Sequence, residues 1–153
     1  MTVELIIQRV GGTVIIDGTL MEDPIVQQRM RTRSDRPKIL YDPNANDKKR
    51  LRNLLQQEVH DLGESSPIFE DGRALVSRSN FFILNDNKDL DNLGKFILDV
   101  MQGPLYKNDK VVKRLILEKI VAEEPKTSLK VYNFKIKKLA TVKSCTNKIK
   151  MLF

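Results

Sequence analysis

Leu90, Leu93, Ile97, Val100 and Met101 recur at three- and four-residue spacing, and Gly103-Pro104 follows directly, so one amphipathic helix ends there. The segments on either side are richer in β-formers: Ala74 to Leu84 reads as a strand entering the helix, and Val111 to Val121 as a strand returning beside it. A strand, a helix stopped by Gly-Pro and a second strand form the frame into which the rest of the chain must fit.

The remaining elements are those of a scaffold. Val3 to Val10 and Thr13 to Asp17 flank Gly11-Gly12, a hairpin signal. Asp47 to Leu62 predicts a second amphipathic helix, with Leu51, Leu54, Leu55, Val59 and Leu62 on one face and Gly63 at its end. Leu129 to Leu139, where Tyr132, Phe134 and Ile136 alternate with polar residues, predicts a last strand, and residues 140–153 are expected to be disordered. At 153 residues and 41% hydrophobic content, one core is expected. Hairpins mixed with helices argue for an α+β fold, a mixed β-sheet with an N-terminal hairpin covered by two main helices.

The central helix carries an unusual set of charges. Asp89, Asp91, Lys95, Asp99 and Asp109 lie within 21 residues. If the backbone at Asp89 and Asp91 is extended, both side chains leave on the same side, while on the helix Asp91, Lys95 and Asp99 fall at i, i+4 and i+8. Magnesium and manganese prefer oxygen ligands, and magnesium takes few carboxylates and keeps several waters. Two neighbouring aspartates, joined by Asp109 after the Gly103-Pro104 turn, suit that need. The alternatives are a helix cap at Asp89 and a surface ion pair at Lys95, the latter worth about 0.3 to 0.5 kcal/mol.

The charge distribution points to a polyanionic partner. Of 27 Lys and Arg, eight lie in residues 125–153 together with none of the 20 acids, leaving 19 basic against 20 acidic residues before them. Nearly all of the net charge of +7 therefore belongs to the C-terminal segment. A second basic stretch runs from Arg29 to Arg52, where Arg29, Arg31 and Arg33 would form a phosphate-tracking row if extended, or protect an exposed sheet edge. Candidate DNA contacts are Arg29, Arg31 and Arg33 in the first half and Lys135, Lys137 and Lys138 in the tail.

Several chemistries lack their parts. One cysteine, Cys145, permits no intramolecular disulfide and suggests a reducing compartment. One histidine, His60, supplies neither a zinc cluster nor a hydrolytic triad. With no glycine-rich phosphate loop, no nucleotide cofactor is expected. No apolar run of 18 residues occurs, so no membrane span is expected, and the charged start is unlike a signal peptide.

The stretch from Asp89 through Gly103, followed by Tyr106-Lys-Asn-Asp, resembles the signature of the RusA family of Holliday junction resolvases, D-x-D-N-L-x-K-x-x-x-D-x-L-x-G and then Y-x-D-D. Asp89, Asp91, Asn92, Leu93, Lys95, Asp99, Gly103, Tyr106 and Asp109 fall in register without a gap. Upstream, Pro24 to Arg31 is similar to the family's P-x-x-x-x-R-x-R segment, and Tyr41-Asp-Pro to the start of its first helix region. Asn108 stands where the family usually has an acid, Lys88 where proline is frequent and Val111 where glutamine is frequent.

The resemblance implies a RusA-like domain over residues 1–124, with a lysine-rich strand and tail over 125–153. It implies a homodimeric, magnesium-dependent endonuclease, with manganese as the alternative ion, that cuts branched DNA such as four-way junctions. The metal would lie on Asp89, Asp91 and Asp109, and Lys95 would serve cleavage. A cytoplasmic setting, or the DNA-containing compartment of a viral host, goes with that activity. The competing expectation is a non-catalytic module that binds branched or single-stranded DNA, with the aspartates as caps and surface pairs. A replication-associated subunit that recruits partners through the lysine tail is the third.

Overall fold

The computed structural model describes residues 2–70 and 72–134. The elements run β1 (Val3–Val10), β2 (Thr13–Leu20), β3 (Arg31–Arg33), β4 (Arg36–Tyr41), α1 (Ala45–Asp61), β5 (Ala74–Ile83), α2 (Leu90–Met101), β6 (Val112–Val121) and β7 (Lys126–Phe134). A short 3-10 turn, Asp109–Val111, precedes β6.

Five strands form one mixed sheet in the order β1-β2-β7-β5-β6. The hairpin at Gly11-Gly12 pairs Val3 with Leu20 through Val10 with Thr13. Gly11 takes a positive φ of 61°, which glycine adopts without a Cβ clash. All pairings are antiparallel except β5 with β6, where Ser77 lies beside Leu115 and Ile83 beside Val121. A parallel pair needs a crossover connection, and α2 provides it.

Both helices cover one face of this sheet. Leu51, Leu55 and Val59 of α1 and Leu93, Phe96, Ile97, Val100 and Met101 of α2 pack with Leu5, Ile16, Phe81, Ile83, Leu129 and Val131 in a single core. Gly94 lets α2 approach β6 closely, since a Cβ there would stand 2.4 Å from Leu117 Cδ1. The α+β architecture is the one the hydrophobic patterns predict.

The last strand starts at Lys126, three residues before the expected Leu129, and lies between β2 and β5. Alternation alone locates a strand but not its neighbours. Lys135, Lys137, Lys138, Cys145 and the expected disorder over 140–153 lie outside the described residues. No described helix is long and apolar enough to cross a membrane. His60 lies in the last turn of α1.

Candidate active site

Because β5 and β6 are parallel and joined by α2, the N-terminus of α2 stands beyond the carboxyl end of β5, where open α/β units place their ligand sites. The approach to this helix is pinned from two directions. Lys88 pairs with Asp23 at 2.9 Å and donates to the Pro24 carbonyl. Lys119 of β6 pairs with Asp86 at 2.6 Å and donates to the Lys88 carbonyl at 3.0 Å. The chain therefore enters Asp89 along a constrained path.

Asp89 occupies the N-cap position with extended backbone, φ −73° and ψ 126°, yet its side chain makes no capping hydrogen bond. An aspartate here usually accepts from a free N–H of the first turn. This carboxylate is instead part of the lining of an open cleft of about 620 Å³, with Asp91, Asn92, Lys95 and Asp99 from α2. The positive end of the helix dipole favours anionic groups at this point. Asp91 lies inside the first helical turn, which corrects the expectation that Asp89 and Asp91 share an extended backbone. The helix begins at Leu90, the first residue of the apolar series. Lys95 Nζ is 4.0 Å from Asp91 Oδ2, and both side chains are about two-thirds or more exposed, at 66% and 74%.

The opposite wall comes from the segment before β3 and from the start of α1. Gln27, Gln28, Arg29, Met30, Asp42 and Lys48 complete the cleft. Asn44, buried ahead of α1, holds this wall together. Its Oδ1 accepts from Gln28 N–H at 2.8 Å and Gln27 Nε2 at 3.2 Å, while its Nδ2 donates to the Val26 carbonyl. Gln27 N–H donates to the Asn92 carbonyl at 3.1 Å, tying the wall to α2.

Lys48 forms the floor. Its Nζ lies 2.7 Å from both Asp42 Oδ2 and Asp99 Oδ2, and its side chain is only 10% exposed. Burial alone would favour the neutral amine, but hydrogen bonds and charge attraction from Asp42 and Asp99 prevail and hold the Lys48 pKa above its ordinary value. Desolvation likewise works against ionised Asp42. Donation from Lys48, the Asn44 N–H and Gln27 outweighs it and keeps that carboxyl below the usual carboxylate range. Arg52 adds a bond to the Asp99 carbonyl at 2.7 Å. Lys48 falls within the basic stretch from Arg29 to Arg52, which by charge alone suggests a solvated face. Its spacing with Leu51, Leu55 and Val59 puts it on the buried face of α1 instead. That spacing was the signal that could have identified it.

Asp109 does not converge with Asp89 and Asp91 as expected. Its N–H donates to Gln102 Oε1 at 3.3 Å, and Gln102 caps the C-terminus of α2, whereas Asp89 caps the N-terminus. The two ends of a twelve-residue helix are about 18 Å apart. The Gly103-Pro104 turn reverses the chain at the far end of α2, where Gly103 N–H donates to the Tyr106 carbonyl at 2.7 Å and Tyr106 Oη donates to the Leu98 carbonyl. Burial pushes the Tyr106 hydroxyl pKa up, and the charges of Asp109 and Asp99 add to this. Asn108 Oδ1 is used locally, accepting from Lys110 N–H at 2.9 Å. Among the described residues no group of three or more His, Cys, Asp or Glu is set to hold a metal ion.

The arginines divide between two settings. Arg29 lines the cleft. Arg31 and Arg33 lie on the exposed two-stranded ribbon β3–β4, and a register shift between Thr32 and Arg33 breaks their regular alternation. Arg31 donates to Gln28 Oε1 at 3.1 Å, and Arg33 pairs with Asp35 at 3.2 Å.

Residues 23–132 match the family model of endodeoxyribonuclease RusA, a span that includes both cleft walls and most of β7. The chain belongs to the RusA family. Membership implies an endonuclease of the Holliday junction type, in a family that binds branched DNA and generally depends on a divalent metal. No curated protein matches the sequence. In this RusA chain the residues available to an ion are the Asp89 and Asp91 carboxylates at an uncapped helix start. Two carboxylates beside an open cleft would suit a divalent cation that keeps much of its hydration shell.

Proposed function

We propose that this RusA protein is a homodimeric, magnesium-dependent resolvase that cuts four-way or related branched DNA at the cleft before α2. The observation that carries the proposal is the Asp89 carboxylate, held at a helix N-cap without a capping bond and facing the cleft beside Asp91. Asp89 and Asp91 would hold the ion, with manganese able to replace magnesium. A divalent cation held there would supply charge neutralisation at the phosphate and an acidified water.

Lys95 stands one turn along the same wall and directs an ammonium toward the cleft, where it stabilises the phosphate or the departing oxygen. Arg29 anchors the neighbouring phosphate from the facing wall, and Arg31 and Arg33 extend that contact outward. Lys48, Asp42 and Asn44 fix the spacing between the walls. Asp109, at the far end of α2, would take no part in holding the ion. A two-fold dimer would give each of the two strands to be cut its own cleft.

Incubating the purified protein with a synthetic four-way junction, with magnesium or with chelator, tests this reading. Paired, symmetrical nicks that need the metal and vanish in Asp91→Asn, while a gel shift persists, are the expected result. The lack of a three-carboxylate group among the described residues favours a second reading, a module that binds branched DNA without cutting it. A shift without nicks under magnesium or manganese would establish that module.

A further inference from the structure

We propose that the β3–β4 ribbon is a branch-sensing arm that lays its apolar residues against base faces unstacked at the strand exchange point; the proposal rests on the junction-cutting reading above. All residues from Gln28 to Tyr41 are exposed. Within that stretch Met30, Ile39 and Leu40 are each more than half exposed and Tyr41 is 40% exposed. A two-stranded ribbon gains little stability by itself, and apolar side chains left in water on it are a cost to the free protein. Such residues suggest a surface completed by a partner.

Charge and position identify the partner. The stretch carries Arg29, Arg31, Arg33, Arg36 and Lys38 against one acid, Asp35, so it suits a polyanion better than a second copy of the same basic ribbon. The ribbon is also continuous with the cleft, since Arg29 and Met30 at its base are part of the cleft lining. Arg31 is paired across the ribbon with Tyr41, and Thr32 with Leu40. Cross-strand partners share a face and neighbours along a strand do not, so Arg31, Tyr41 and Ile39 lie on one side of the ribbon with Leu40 on the other, and a basic, aromatic and aliphatic face of this kind suits bases that stack without sequence preference. Duplex DNA offers no free base faces, whereas a branch point does. The arm therefore supplies preference for branched over linear DNA, and the cleft supplies the cut.

The test uses the full chain and a four-way junction carrying 2-aminopurine at the exchange point, with a linear duplex of equal length as control. Wild-type protein is expected to raise the fluorescence as the base unstacks. The variant Ile39→Ser/Leu40→Ser/Tyr41→Ser should lose that rise and lose about tenfold in preference for junction over duplex, with duplex affinity unchanged. Arg36→Ser/Lys38→Ser should weaken junction and duplex alike, with a shallower salt dependence. Junction preference and fluorescence unchanged in the triple variant would overturn the proposal. So would sedimentation of the triple variant as a smaller species than wild type, because the ribbon would then be an interface between copies. Failure of wild-type protein to bind any junction would overturn the function itself and the arm's role with it. Normal junction cleavage without a fluorescence change would overturn the arm's role alone.

Discussion

Lys48 Nζ lies 2.7 Å from Asp99 Oδ2, so an ion pair on the buried face of α1 sets how far α1 stands from α2. Asp42 accepts from the same ammonium at 2.7 Å and brings the segment before α1 into the arrangement. The cleft is therefore braced from below by charges that do not themselves need to meet DNA.

Removing that ammonium should cost more than an exposed ion pair. Lys48→Met leaves Asp42 and Asp99 without their shared partner, and a loss of about 3 kcal/mol is expected from the denaturant midpoint. Lys48→Met combined with Asp42→Asn should recover part of it, because one unpaired charge is then gone. Equal midpoints for Lys48→Met and wild type would contradict the bracing role.

The same triad fixes a pH window. The Asp42 carboxyl is held below its ordinary value of 3.8, so its contribution is present above that value and fades as pH falls through the lower folded value. Lys48 is held above its ordinary value of 10.5, so its contribution is present below that value and fades as pH rises through the higher folded value. Melting temperature measured across pH should be flat with respect to this triad between those limits. Asp42→Asn should soften the acid limb, and an unaltered acid limb would rule the linkage out.

Ion binding can be read without catalysis. Manganese titrated into the protein and followed by electron paramagnetic resonance should bind wild type and be weakened at least about tenfold by Asp89→Asn or Asp91→Asn. Asp109→Asn should leave manganese affinity near wild type, because α2 separates Asp109 from the other two. A loss of manganese affinity in Asp109→Asn equal to that of Asp91→Asn would show that the third acid reaches the ion.

Lys95 separates chemistry from a surface pair. Its 4.0 Å contact with Asp91 is exposed, so Lys95→Met should leave stability within about 0.5 kcal/mol of wild type. Cleavage should fall about a hundredfold with junction affinity retained, the scale of losing one charge-stabilising group. Unchanged cleavage in Lys95→Met, or in Lys95→Arg, would reduce it to a surface pair.

Gly103 ends α2 at φ +109°, a conformation that L side chains rarely adopt. Gly103→Ala should cost about 1 to 2 kcal/mol, read from the melting midpoint, and disturb the turn that places Tyr106 under Leu98. A midpoint within error of wild type would mean that the turn relaxes.

Local chemistry was legible along the chain. The Gly11-Gly12 hairpin, both helices, the strand before α2 and its Gly-Pro stop follow from apolar spacing and from backbone preferences that act over a few residues. That Asp89, Asp91 and Lys95 would share one side of a helix start was also legible, and with Arg29 they line one cleft. Asn44, Asp42 and Gln27 were not, even though Gln27 and Asp42 fall in family-like segments, because nothing local shows which polar residues will meet across a cleft.

The order of residues by itself determined the α+β class, the helix that carries the acids and the family motif within it, because periodicity and turn chemistry are local. Only tertiary structure decided that β7 would lie between β2 and β5, that Lys48 would turn inward between Asp42 and Asp99, and that Asp109 would stand at the opposite end of α2 from Asp89. These depend on sheet pairing, on burial and on the length of one helix. Each is set by contacts between residues tens of positions apart, or by a distance that accumulates along a rigid element.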